Sequence, residues 1–312
     1  MAKQRILYID ALKAIAIVLM ITIHVPQYWH FETCFWGPLA DIFCMKIFFL
    51  LSGYTTNINN FKITKRLKLL IPMFIIGIPC TLYYSKPIST FFTSMDMNGY
   101  WFLWVMSVYS VCLFAIKKSK INIHLGFAII ELIFVALYIV FNNNIRYLLS
   151  INLCVIYWPY VYIGQLFINE KLFNIIIKKW WIVTLTFLAF SIIYILFKHT
   201  GTLYSLFSKL YGLSIVLLLM ILGYKIYGDK AARSQIEKSI SFIGQSTLQI
   251  YVLHYYFFKA FRISFLQAFI STHNRFIDDF LLTPPISLCI AILSIILAKI
   301  IYKIHLGWIF GR

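Results

Sequence analysis

Residues 8–24 read YIDALKAIAIVLMITIH, an apolar run of membrane-helix type that nevertheless carries Asp10, Lys13 and His24. In a helix turning about 100° per residue, the eleven-residue step from Lys13 to His24 returns to within roughly 20° of the same face. The rise of about 1.5 Å per residue separates the two by roughly 16 Å along the axis. One stripe therefore presents a cation near one membrane surface and an imidazole near the other. Asp10 precedes Lys13 by three residues, close enough on a helix to neutralise it. Polar groups at membrane depth are costly, so by default they line a cavity or a reaction path. A signal anchor is the competing reading, favoured by the basic flank Lys3 and Arg5. Charges inside the apolar region and nine further apolar runs speak against it.

The rest of the chain has the same character. Of its 312 residues 62% are apolar and only 12% charged, with a mean hydropathy of +0.84, against about 25% charged in a soluble domain. Spanning backbone must pair internally, as helices or a closed barrel, and unalternating runs of about 20 residues select helices. The expectation is an all-α integral membrane protein of ten spans, at 6–27, 39–58, 69–85, 100–116, 123–142, 147–168, 180–198, 206–227, 240–262 and 281–303. Short connections and the lack of repeats make 1–312 one transmembrane domain, with no soluble domain appended.

The net charge of +18 sits in short connections rather than in a basic domain, which argues against nucleic acid. With the N-terminus inside, the inner loops hold Lys62, Lys65, Arg66 and Lys68, then Lys117, Lys118 and Lys120, Lys171, Lys178 and Lys179, and Lys225, Lys230, Arg233 and Lys238. The outer side holds fewer, such as Lys86, Arg146, Lys198, Arg262 and Arg275. That asymmetry places both termini in the cytoplasm, as an even number of spans requires. Cys34, Cys44, Cys80, Cys112, Cys154 and Cys289 show no metal-ligand spacing; they read as small apolar fillers, and no metal is expected.

The second span, DIFCMKIFFLLSGYTTN at 41–57, buries Lys46 and ends in Phe49-Leu50-Leu51-Ser52-Gly53-Tyr54. Gly53 permits close approach of another backbone, while Ser52 and Tyr54 supply hydroxyls. Then comes Phe61-Lys62-Ile63-Thr64-Lys65-Arg66-Leu67-Lys68, with Pro72 interrupting the third span. Orientation of the chain nearly accounts for this cluster; the alternative is a seat for a polyanion such as nucleotide phosphates.

Lys13-x10-His24, Phe49-x-x-Ser52-Gly53-Tyr54 and Lys65-x-x-Lys68 together resemble the motifs of acyltransferase family 3, membrane proteins that acylate extracytoplasmic sugars and glycans. Trp101-Phe102-Leu103, Trp158-Pro159-Tyr160 to Gly164, and Ser246-Thr247-Leu248 to Tyr251-Val252-Leu253-His254 are further echoes. Lys replaces Arg at 13, 65 and 68, which keeps the charge and loses the bidentate fork. The resemblance implies an O-acyltransferase, foremost an O-acetyltransferase, in a bacterial cytoplasmic membrane. Its donor would be cytoplasmic acyl-CoA, foremost acetyl-CoA, and its acceptor a hydroxyl of a cell-surface glycan or lipid-linked sugar.

On that reading His24 and Asp10 are the candidate catalytic residues, His24 acting as general base or transient acyl carrier. Lys13, Ser52, Tyr54, Lys65, Arg66 and Lys68 are the candidate donor contacts. Lys46, Trp101, Glu131 and His254 are candidates on the acceptor side. Lys46 and Glu131 neutralise each other or serve a proton relay. Trp101 belongs to an interfacial belt or stacks on a sugar, and His254 orients His24 or the acceptor. A secondary transporter or polysaccharide exporter coupling through the buried charges is the alternative function, although no matching half-chains with broken helices are visible.

Overall fold

A computed structural model describes residues 6–29, 36–94, 96–141, 143–148, 150–196, 201–228, 230–260 and 276–311. Lys3, Arg5, Cys34, Lys198, Arg262 and Arg275 lie outside the described residues. The described chain is helical: α1 Leu7–Trp29, α2 Trp36–Thr55, α3 Ile63–Leu67, α4 Leu70–Tyr83, α5 Ile88–Thr93, α6 Trp101–Ser119, α7 Ile123–Val140, α8 Asn143–Leu148, α9 Ile151–Leu166, α10 Glu170–Lys178, α11 Trp180–Leu196, α12 Gly201–Tyr227, α13 Gln235–Gln245, α14 Thr247–Ala260 and α15 Thr283–Lys303. A short 3₁₀ turn, Met97–Gly99, precedes α6, a π-helical turn, Ile277–Leu282, precedes α15, and Gly307–Phe310 forms a last 3₁₀ turn.

Among the described residues seven helices are long and apolar enough to cross a membrane, or eight if the α10–α11 pair, bent by 69°, counts as one span. The difference from ten lies in identifiable places. The second expected span is α2, a helix of 20 residues, of which Ile42–Thr55 counts as an apolar stretch among the fully described residues. The ninth is split at Ser246, because a capping box of Ser234 and Glu237 starts a polar helix, α13, ahead of it. What remains, α14, has 14 described residues, about 21 Å of helix, and the end of the expected span, 261–262, lies outside the described residues. Pro72 falls in the first turn of α4, where a missing N–H costs little; the chain breaks just before it, at Lys68–Leu69.

α1 is the shared wall of two packed bodies. Its first half, Tyr8 to Ala16, joins a core built with α2, α6, α7, α9, α10 and α12. Its second half, Ile17 to Val25, joins another built with α4, α5, α14 and α15. Helices α2 and α9 cross closely. A Cβ on Gly164 would overlap the carbonyl oxygen of Leu50, and one on Gly53 that of Val161. The close approach expected at Gly53 is therefore present. Helix α11 buries none of its residues, and α7 turns Leu132, Ile139 and Val140 outward, faces suited to lipid.

Candidate active site

His24 lies in the last two turns of α1, where its neighbours come from α14. Its Nδ1 is 3.0 Å from Oε1 of Gln27, one turn on, so Nδ1 carries the proton and donates it. That leaves Nε2 as the lone-pair side, and it accepts from the Tyr255 hydroxyl at 3.1 Å. His254 stacks beside it, with ring centroids 5.7 Å apart and planes at 28°. The His254 Nδ1 donates to the carbonyls of Tyr251 at 2.7 Å and Ile250 at 3.2 Å. Two carbonyl partners assign the tautomer. The Nε2 of this fully buried ring accepts no hydrogen bond among the described residues. The two imidazoles thus stand together with both Nε2 atoms in acceptor form.

Tyrosine hydroxyls hold the α14 frame. Tyr84 donates to Tyr255 O at 2.5 Å, Tyr100 to Val252 O at 2.9 Å and Tyr256 to Ile76 O at 2.8 Å. Tyr251 reaches across to Gly99 O at 2.5 Å. The turn it grips has three successive residues at positive φ, Met97 at 44°, Asn98 at 51° and Gly99 at 94°. At Gly99 this requires glycine twice over, since a Cβ would also overlap the Tyr255 ring. Asn98 fixes the turn by donating to Thr81 and Thr90 and accepting from Lys86. Asp96 brings a carboxylate into electrostatic reach of His24.

At the far end of α1 the residues are arranged differently. The Asp10 carboxylate is buried and accepts from Ser241 Oγ at 2.6 Å and Gln245 Nε2 at 3.4 Å. Fourteen residues of helix place it about 21 Å from His24 along the axis, so the structure does not bring the two candidate catalytic residues together. Arg66 turns inward, donating to Thr56 Oγ1 at 2.7 Å at the C-terminal end of α2, where a cation is favoured by the helix dipole. Gln165 caps the same end, its Nε2 donating to Gly53 O at 2.5 Å and Thr56 O at 2.6 Å. Lys65 and Lys68 are exposed. A cleft of about 290 Å³ opens between Thr55, Asn57, Asn60, Lys62, Lys65 and Arg66. Ser52 sits one turn back, its carbonyl accepting from Thr56 Oγ1. The Tyr54 ring is stacked on Phe173 at 5.8 Å, and Lys13 is half-buried on α1.

The remaining candidates lie in the α2-side body. Trp101 stacks on Tyr157 at 5.3 Å and lies 6.1 Å from Phe49, in an aromatic column. The structure does not pair Lys46 with Glu131. Glu131 Oε2 has no hydrogen-bond partner among the described residues, and the lysine charge acting on it is that of Lys209. Lys46 is buried against Gly212 of α12. Tyr255, Gln27 and the 96–99 turn were not among the sequence candidates. Tyr255 is one of 21 tyrosines, and only its position directly after His254 could have marked it.

The geometry can be set beside known proteins. The family model described as an acyltransferase domain matches residues 6–303. No curated protein and no solved structure matches the chain.

Proposed function

The chain belongs to acyltransferase family 3, and from that premise we propose that it is a membrane O-acyltransferase. Its donor is cytoplasmic acyl-CoA, with acetyl-CoA as the leading candidate, and its acceptor is a hydroxyl of an extracytoplasmic glycan or lipid-linked sugar. The observation that carries the reading is the His24 Nε2 lone pair, held by the Tyr255 hydroxyl beside His254. In the proposed step the acceptor hydroxyl takes the place of Tyr255 at Nε2 and gives its proton to the imidazole. Its oxygen forms the ester bond at the thioester carbon while the C–S bond breaks. The departing CoA thiolate takes the proton back from the imidazolium, which restores the base. Gln27 keeps Nδ1 protonated throughout, as a general base acting at Nε2 requires.

His254 has a second lone pair in the same cluster, which supports a role in receiving the acceptor hydroxyl or its neighbour on the sugar. Lys13, Lys65 and Lys68 supply positive charge for the donor's phosphates, with Ser52 and Tyr54 on the adjoining turn of α2. Arg66 contributes by holding that turn. Lys46, Trp101 and Glu131 remain candidates for the acceptor's path. Asp10 acts on the reaction through the α1–α13 joint rather than by contact with His24.

The test is transfer from labelled acetyl-CoA in proteoliposomes. General-base assistance is worth about 10² to 10⁴ in rate, so His24→Ala is expected to lose at least two decades while inserting normally. His24→Gln keeps hydrogen bonding without basicity and is expected to be equally slow. A Gln variant of near-normal rate would reduce His24 to a positioning residue. Export of unacylated glycan without transfer of label would favour the transporter instead.

A further inference from the structure

Beyond the 290 Å³ cleft, and sharing Asn57 with it, lies a larger open cavity of about 690 Å³ bordered by the 57–59 turn and the facing ends of α6, α7 and α9. Small-molecule sites fall at about 300–1,000 Å³. The chemistry of this lining is specific. Gln165 is 8% exposed, and both N–H groups of its amide are consumed by the carbonyls of Gly53 and Thr56. Its orientation is therefore settled, and Oε1 is an acceptor that takes no hydrogen bond from the described residues. Asn57 and Asn169 are oriented the opposite way. Their Oδ1 atoms accept from the backbone of Asn59 and Lys171, which leaves their Nδ2 groups as donors. The apolar wall is made of isoleucines such as Ile116. Lys117 and Lys120 stand at the mouth, and Lys117 Nζ donates to Phe61 O at 3.1 Å, joining this basic loop to the one that carries Lys65.

A flat heterocycle between apolar walls, offering an exocyclic N–H donor next to a ring-nitrogen acceptor, would satisfy these amides; adenine has that edge. The flanking lysines would favour phosphate groups near the base. We propose that this cavity holds the adenine and 3′-phosphate end of the donor, with the diphosphate crossing Asn57 into the Lys62–Arg66 cleft. The proposal rests on the acyl-CoA reading above and deepens it. It moves recognition of the nucleotide from the Lys65–Lys68 pair to α6, α7 and α9.

The experiment measures binding of CoA, dephospho-CoA and adenosine 3′,5′-bisphosphate to the purified full-length protein in nanodiscs. Wild type is expected to bind CoA about tenfold or more tightly than dephospho-CoA, and adenosine 3′,5′-bisphosphate is expected to compete with CoA. Lys117→Gln with Lys120→Gln should erase that preference. Asn59→Trp, at the exposed rim, should weaken all three ligands by filling the cavity. Wild-type protein labelled with 8-azido-adenosine 3′,5′-bisphosphate supplies a readout that needs no variant, with the label expected on residues 116–123 or 165–169. Label confined to residues 62–68, or unchanged CoA preference in variants of normal thermal stability, overturns the subsite and leaves the donor reading standing. Wild type that binds no CoA at all overturns both.

Discussion

Around His24 the protein is closed and cross-braced, whereas around Lys65 and Lys117 it is open. Three tyrosine hydroxyls fasten α14 to its neighbours, and a fourth, on Tyr251, fastens α14 to the 97–99 turn. The basic end is instead two clefts of about 290 and 690 Å³ bounded by helix ends and exposed lysines. On the proposed reading, a base at His24 must meet its proton within a few tenths of an ångström, and rigid aromatic packing with satisfied hydroxyls suits that precision. The donor proposed for the basic end is a soluble polyanion that must enter and leave, so amides and flexible ammonium groups would suit its seat better. Helix α1 links the two regimes, its first half lying in one core and its second half in the other.

The sharpest way to break this contrast is at the crossing that supports the open end. Gly164→Ala would place a methyl group on the backbone of α2, which cannot move aside as a side chain can. Overpacking of this kind costs about 1–3 kcal/mol or more, so a marked fall in thermal midpoint is expected. Gly223→Ala, whose Cβ would make only ordinary contact with Leu12, is the matched control and should stay near wild type. Equal stability of the two variants would mean the α2–α9 contact is looser than described.

A smaller effect is expected at the closed end. Tyr255→Phe removes the hydroxyl from His24 Nε2 and keeps the ring that packs on His254. The loss of one hydrogen bond, about 0.5–1.5 kcal/mol, predicts a rate lower by up to about tenfold with folding intact. A loss as large as that of His24→Ala would make the Tyr255 hydroxyl a participant in proton transfer rather than a placeholder.

The smallest effect belongs to the exposed cations. Lys65→Ala with Lys68→Ala should weaken acyl-CoA binding several-fold at low salt, and the difference should shrink as salt rises. Charge reversal to Glu should be worse than Ala. Unchanged affinity at every salt concentration would leave these lysines a role in chain orientation alone.

Much of this was legible in the linear chain because charge in an apolar run is informative. His24 stood out as an imidazole in a membrane helix, His254 could be placed near it, and Gly53 announced a close crossing. Tyr255 and Trp101 were harder to weigh, since aromatic residues make up 19% of the chain and their types say nothing about their partners. Gln165 was invisible for a related reason. An amide in an apolar run can be surface, core or cap, and only the two carbonyls facing it decide which.

The sequence by itself determined that the chain is helical and membrane-embedded, which end of its helices is basic, and which family it belongs to. Those properties follow from hydropathy, charge and local motif, all of which are read one segment at a time. The tertiary structure decided that Asp10 bonds across the α1–α13 joint and not to His24, that Arg66 turns inward to Thr56 while Gln165 caps α2, and that the expected ninth span divides at Ser246. It also decided what faces the His24 Nε2, because that partner, the Tyr255 hydroxyl, is 231 residues away in the chain.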